Sequence, residues 1–470
     1  MIRFSVYLTA ATAAAAAVCG PAQSQTLMDA LAAAYDTNPT LEAQRAQLRA
    51  TDEQLAQVRA LILPNITGNA SIGRSHTEGL SIFEFGTGEP VETPIPGRTS
   101  EPKTYSLTVS QPLFDGGAFG AGRRQVQANI GQQEEVLRAT EQSVLLDAVS
   151  AYMDVLRAGR VVEIRISNVD VLIDEQRAAG NRFDLGEVTR TDVAQADSRL
   201  ALARAELITA QSTLQQQRAA FARIVGFPPG TLAPPPDLPA MPDTLDTAIN
   251  TALGLNPQLI AASFAEEAAQ RSVGVAKSDL WPDVTLDGSL NRREDTSFTG
   301  DYTDSYSVTA TLRVPLFTGG RERSEVREAK QLATRARHQL DQTRRETVEQ
   351  VTAAWSSWVA AREVVVSAQS AVEATDLAAE GVGREAEVGL RTTLDALNAE
   401  QEALTARVTL AGAERDSYVA AHQLLAAMGM LNVEYLDIPV ARYDPRAYLD
   451  DVVNDWPENL ISTSTEQDDD

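Results

Sequence analysis

Apolar and polar residues alternate at four places along the chain, strictly at two of them and in two pairs, and after each pair the pattern changes to helical spacing. In Tyr306–Val314 the side chains Tyr306, Val308, Ala310, Leu312 and Val314 interleave with Ser307, Thr309, Thr311 and Arg313. Tyr105, Leu107 and Val109 alternate with Ser106, Thr108 and Ser110, and weaker alternation occupies Ile66–Ile72 and Val284–Leu290. Four strands are predicted, at about 65–75, 103–113, 283–293 and 305–315, each with one apolar and one polar face. Past two Gly-Gly turns, proline-free helical patterning runs from Gly122 to Asp184 and from Arg321 to Glu387. At 1.5 Å per residue these are helices of about 95–100 Å. Val348, Val351, Trp355 and Trp358 keep a 3-4-3 spacing, mirrored by Leu145, Ala148, Tyr152 and Val155; this is a coiled-coil seam. Gly186 and Gly389 break the long helices, and shorter ones return to about Val225 and Met428. Upstream, Asn38 and Asn256 are N-caps with Pro39 and Pro257 at the first helical position, and Pro64 and Pro282 end those helices. A returning helix and an upstream helix together match one long helix, so stacked end to end they predict a wall of even height.

The pattern occurs twice because the chain is a duplication. Thr26–Leu41 aligns without gaps on Thr244–Leu259 with seven of sixteen positions identical. Pro112-Leu113-Phe114-Asp115-Gly116-Gly117 likewise matches Pro315-Leu316-Phe317-Thr318-Gly319-Gly320. The predicted divisions are a first repeat over 25–226, a proline-rich connector over 227–243 and a second repeat over 244–430. The first repeat is the longer in Ser75–Lys103, where a longer loop containing His76 is expected. The remainder, 431–470, ends in an acidic stretch expected to be disordered.

Composition narrows the chemistry. The 470 residues carry 65 acids against 40 Lys and Arg, a net charge of −25, which excludes a nucleic-acid binder needing a basic stripe. Aromatics are only 5%, in keeping with long helices rather than one large layered core. Cys19 is the single cysteine, so neither a disulfide framework nor a thiolate cluster is available. His76, His338 and His422 stand far apart, and no nucleophile–base pair, phosphate loop or metal motif appears. The chain is therefore read as no enzyme, with no cofactor and no metal site. Arg3, an alanine-rich apolar run to Val18 and small residues before Gln25 make residues 1–24 a secretory signal peptide, cut after Ala22 or Ser24. A competing reading lipidates Cys19, against which Val18 is a poor preceding residue.

Four such strands cannot close a barrel in one chain, because single-chain membrane barrels begin at eight. Such alternation fits a half-buried strand and, in an exported protein, also a membrane β-barrel strand. An open edge cannot sit in lipid, where every backbone group must be paired, so if these strands enter a membrane several chains must share one barrel. Phe114, Trp281 and Phe317 fall at the strand–helix junctions, where an aromatic girdle would meet lipid headgroups or simply pack the junction. The alternative is an exported coiled-coil scaffold or interaction protein without channel activity, whose strands form a small soluble sheet.

Two further motifs lie at the helix breaks: Phe183-Asp184-Leu185-Gly186-Glu187-Val188-Thr189-Arg190-Thr191-Asp192-Val193 and Glu387-Val388-Gly389-Leu390-Arg391-Thr392-Thr393-Leu394-Asp395. With the duplication, the strand pairs and the Pro-Leu-Phe-x-Gly-Gly turns, the chain resembles the TolC family of outer-membrane efflux ducts. The resemblance implies a mainly α fold: duplicated long helical hairpins forming an α-barrel, plus four strands per chain in a twelve-stranded outer-membrane β-barrel shared by a homotrimer. It places the first part of 431–470 in an equatorial segment. It implies an outer-membrane duct of a Gram-negative cell reaching across the periplasm. Such a duct is the passive exit of a tripartite efflux pump or type I secretion system. The implied partners are outer-membrane lipid, a periplasmic adaptor that opens the tip, and an inner-membrane transporter of the RND or ABC class.

The breaks would form that tip. Glycine at 186 and 389 permits the reversal, since it adopts a left-handed backbone freely. Asp192 and Asp395 serve as acids favoured at a helix N-terminus or, for Asp395 repeated in a trimer, as a ring that attracts cations. Arg391 is placed to pair with Asp192 or the Thr191 carbonyl, and Thr392 lies beside it. Ala386 and Asn398 depart from the pattern of the best-known member, which has an aromatic and a second acid there. Fewer bonds holding the tip closed, and a single anionic ring, are expected.

Overall fold

The structure is a computed structural model, and it describes residues 25–83, 91–295 and 300–454. The leader over 1–24 and the acidic stretch from 455 onward lie outside them. The element lengths repeat. Helices α1 (Leu27–Thr37) and α5 (Leu245–Leu255) have 11 residues each, and α2 (Pro39–Ala60) and α6 (Pro257–Ser278) have 22. The long α3 (Ala118–Asp184) and α7 (Arg321–Glu387) have 67 each, and α4 (Arg190–Val225) and α8 (Thr393–Met428) have 36. Strands β1 (Asn65–Ile72), β4 (Lys103–Asp115), β5 (Asp283–Glu294) and β6 (Tyr302–Arg313) stand between the helices. Between β1 and β4, where a loop was expected, the chain forms a hairpin, β2 (Ser75–Phe83) with β3 (Val91–Ser100). His76 is thus a strand residue, its Nδ1 lying 3.0 Å from Thr99 Oγ1. Helix α9 (Ala447–Asn454) is the last element among the described residues.

Two compact units cut across the duplication, each holding a part of both repeats. The first comprises Met1–Glu42, Glu141–Ala252 and Gln350–Arg442. Its core is the seam predicted from heptad spacing: Leu145, Ala148, Tyr152 and Val155 are buried on α3, Val351 and Trp358 on α7. Val351 and Trp358 pack with Ala248 and Ala252 of α5 and with Ala421, Leu424 and Met428 of α8. The start of the described chain and the connector are tied together. Gln25 and Leu232 form a parallel bridge, and the buried Tyr152 hydroxyl reaches the carbonyls of Gln25 (2.9 Å) and Ala233 (2.7 Å). With one proton to share, it answers two backbone acceptors. Arg415 and Asp154 make a two-point ion pair at 2.9 and 3.3 Å between α8 and α3.

The second unit comprises Ala43–Thr140, Leu253–Glu349 and Tyr443–Asp470. It holds all six strands found among the described residues. An antiparallel sheet runs in the order β1-β4-β5-β6, while β2 and β3 pair separately. The Gly-Gly turns lead from sheet to helix. Asp115 accepts from the N–H groups of Gly117 (2.9 Å) and Phe119 (2.6 Å), capping α3, while its counterpart Thr318 binds Glu322. Leu55 of α2 and Val126 and Ile130 of α3 form a small core against Leu449 and Val453 of α9.

Candidate functional sites: an open sheet and a paired helix reversal

The register sorts the sheet into rows of opposite character. Gly68, Leu107, Leu290 and Tyr306 face one another across the four strands, as do Ile66, Val109, Gly288 and Val308. The rows between them are polar: Thr67, Thr108, Ser289 and Ser307, then Asn65, Ser110, Asp287 and Thr309. Alternate rows project to opposite faces, so one face is apolar and the other hydroxylic. The hydroxylic face bonds internally, with Ser110 Oγ donating to Asp287 at 2.6 Å and Ser289 Oγ 2.9 Å from Ser307 Oγ. The apolar face is bare: Tyr306 is 86% exposed and Val308 77%. Among the described residues neither β1 nor β6 has a strand on its outer side. Unpaired backbone and an apolar face together are untenable in water and incomplete in lipid.

Phe114, Trp281 and Phe317 sit at the helix-side end of this sheet and are all exposed, Phe317 to 90%. Gly116 is the tight point of that end. Its φ is +66°, and a Cβ there would lie 2.5 Å from the Ser278 carbonyl oxygen and 2.9 Å from Trp281 Cβ. No helix among the described residues is long and apolar enough to cross a membrane.

The two helix reversals, in the first unit, are built alike. Gly186 (φ +79°) and Gly389 (φ +78°) turn the chain, donating to Phe183 and Ala386 carbonyls at 2.9 and 3.1 Å. The residues after them, Glu187 and Leu390, donate to Arg182 (2.9 Å) and Glu385 (2.8 Å). These bonds satisfy carbonyls orphaned at a helix end. Three residues later Thr189 and Thr392 cap the returning helices. Asp192 Oδ2 accepts from Thr189 N and Oγ1, both at 2.8 Å; Asp395 Oδ2 accepts from Thr392 N at 3.1 Å and Oγ1 at 2.8 Å. Each threonine hydroxyl accepts in return from the aspartate N–H, completing a capping box. These bonds hold both carboxyls below the usual range, chiefly through the Thr189 backbone for Asp192 and the Thr392 side chain for Asp395. Both acids are therefore charged and fixed in direction.

Arg391 does not reach Asp192 or Thr191. Its Nε donates to Glu385 Oε2 at 3.0 Å, because the glycine turn folds 390–391 back over the last turn of α7. Thr191 is exposed in the first turn of α4. Asn398 is engaged across helices: Arg199 of α4 donates to its Oδ1 at 3.0 Å. Beside it Leu397 is buried among Val169, Leu172 and Leu200. Arg199, Glu385 and Leu397 were not singled out from sequence. Leu185, Val388 and Leu390, at the turns themselves, are bare apolar side chains. Among the described residues no cluster of His, Cys, Asp and Glu could hold a metal ion.

Comparison with known proteins places this geometry. The family profile described as outer membrane efflux protein matches residues 30–227 and 248–430. Outer membrane efflux protein BepC of Brucella suis is 32% identical, over 93% of this chain and 92% of its own. Alkaline protease secretion protein AprF of Pseudomonas aeruginosa is 26% identical, over 94% and 93%. Among solved structures, the outer-membrane channel OprN superposes with a TM-score of 0.69 at 25% identity, covering 86% of this chain and 89% of its own.

Proposed function

This chain belongs to the outer membrane efflux protein family, and from that premise we propose how its two sites work. It is an outer-membrane channel-tunnel, extending into the periplasm, that serves as the passive exit duct of an efflux pump or type I secretion system. The observation that carries the reading is the four-stranded sheet with one bare apolar face and two open edges. Three copies joining β6 of one to β1 of the next give twelve strands, no free edge, lipid outside and a hydroxylic lumen. Phe114, Trp281 and Phe317 anchor the helix-side rim at the headgroups. The chain works as a conduit with no catalytic role, and an inner-membrane RND or ABC transporter supplies the energy.

The helix reversals form the periplasmic tip. There the capped acids, with Asp395 foremost, line the opening as rings of like charge that favour cations. Bare Leu185, Val388 and Leu390 give a periplasmic adaptor an apolar purchase. The Arg199–Asn398 bond joins α4 to α8 and resists spreading of the hairpins, while Arg391 clips only its own turn.

Two measurements test this. The outer-membrane protein in mild detergent is expected at roughly three chains, about 145 kDa of protein, as a shared barrel requires. Recovery as a soluble periplasmic monomer would remove the channel. In planar bilayers Asp395→Asn is expected to lower cation preference. Arg199→Ala, losing one exposed bond of about 0.5–1 kcal/mol, is expected to open the resting tip about two- to fivefold more often. Arg391→Ala should open it less than Arg199→Ala does. Wild-type selectivity and leak in all three would remove the tip assignment.

A further inference from the structure

The start of α7 carries cations that the rest of the described chain leaves unanswered. Arg323, Arg327, Lys330, Arg337 and Arg344 are all exposed, in a protein of net charge −25. Arg323, Lys330, Arg337 and Arg344 recur every seven residues, and Arg327 falls between the first two, so the five share one flank of the helix. Arg345 lies on the same flank, and Asp341 is the acid among them. Among the described residues none of the five has an ion pair within reach. Nearby Arg321, by contrast, pairs with Glu322 and Glu325. A row this long is unusual on a helix of an acidic protein, where acids interleave with bases at four-residue spacing.

The complementary charge lies in the chain itself. Residues 455–470 carry Asp455, Glu458, Glu466, Asp468, Asp469 and Asp470, with no Lys, Arg or His. The segment leaves from α9, which is fastened in the same compact unit as the basic row. Leu449 and Val453 pack on Leu55, Val126 and Ile130, and Arg59 donates to the Val453 carbonyl at 3.3 Å. Tyr448 donates to Glu53 at 2.6 Å, and Arg446 lies 3.6 Å from Glu134. Arg323 to Arg344 spans about 32 Å of helix. An extended segment of this length covers about 50 Å, more than the row.

We propose that the basic flank of α7 is the docking surface of the chain's own acidic segment 455–470. Each pair would be exposed and weak, so the attachment depends on their number and is screened by salt. Docked, the segment shields the row from other anions, lipid headgroups among them, and couples α9 to the start of α7. The proposal stands independently of how the tip operates.

The test is limited digestion of the detergent-solubilised full chain with a glutamyl endopeptidase that cuts after Glu458 and Glu466. At low salt, the variant carrying R323Q, R327Q, K330Q, R337Q and R344Q is expected to be cut in the segment about tenfold faster than wild type. In about 0.5 M salt the two rates should converge. Since the five changes could disturb α7, a second variant alters the segment alone: Asp468→Asn, Asp469→Asn and Asp470→Asn should speed cutting after Glu458 at low salt. Equal rates for wild type and both variants would overturn the proposal. A cysteine pair, Arg337→Cys with Thr463→Cys in a Cys19→Ser chain, should oxidise within one chain. An interchain dimer, or no cross-link, would overturn it. So would equal binding of phosphatidylglycerol vesicles by the full chain and by a chain ending at Asn454, since the row would then already be bare.

Discussion

Gly116→Ala is expected to leave little assembled channel in the outer membrane, whereas Gly319→Ala, at the matching position of the second repeat, should assemble. Both glycines have left-handed backbones, φ +66° and +69°. Alanine at either site therefore bears the left-handed penalty of about 1–2 kcal/mol. Surroundings separate them. A Cβ on Gly319 meets nothing within 4 Å, while one on Gly116 would stand 2.5 Å from the Ser278 carbonyl oxygen and 2.9 Å from Trp281 Cβ. The obstruction at Gly116 is mostly backbone, which no rotamer change relieves, so the α6–β5 junction would have to move. That junction sets the register of β5 against β4, and a displaced register spoils every row of the sheet. The measurement is the amount of trimer in outer-membrane fractions for each variant. Equal yields from the two would mean that the contact at Gly116 does not constrain the junction.

How much of this was readable in one dimension depended on whether the signal was local. The four sheet strands and the long helices declare themselves through alternation, through Pro64 and Pro282, and through the Gly-Gly turns. The β2–β3 hairpin did not, because Gly79, Pro94, Pro96 and Gly97 look like loop punctuation, and proline is at home on an edge strand. Helix α9 was hidden for another reason: its apolar pair, Leu449 and Val453, stands in front of an acidic stretch that dominates the composition. At the reversals the Thr-x-x-Asp spacing of Thr189–Asp192 and Thr392–Asp395 is a local capping signal, and it accounts for both aspartates' hydrogen bonds. Partners fixed by the fold were not local. Glu385 meets Arg391 only because Gly389 folds the chain back, and Arg199 meets Asn398 from the other repeat.

Asp52→Asn is expected to make the protein more resistant to heat at pH 8 and to have almost no effect near pH 4. Asp52 is fully buried on α2, 0% exposed, and neither carboxyl oxygen has a hydrogen-bond partner. Burial first, then the charges on Glu134 and Glu53, push its pKa up from 3.8 to about 6. Those two neighbours are already engaged, Glu53 by the Tyr448 hydroxyl and Glu134 by Arg446, so the proton settles on Asp52. A folded-state pKa above the unfolded one means that the folded protein holds the proton more tightly. The contribution of Asp52 to stability is thus full below about pH 4, declines as the pH rises through 6, and stays lost above it. Raising the pKa from 3.8 to about 6 corresponds to about 3 kcal/mol once the carboxylate is ionised. Asparagine cannot ionise, and its amide is left no less satisfied than the protonated carboxyl it replaces, so most of that about 3 kcal/mol is expected as a net gain at pH 8. Melting of wild type and variant across pH 4–8 decides it: the curves should separate as the pH rises through the window below 6. Parallel curves would show that Asp52 finds a partner or water in the assembled trimer and titrates like an ordinary carboxylate.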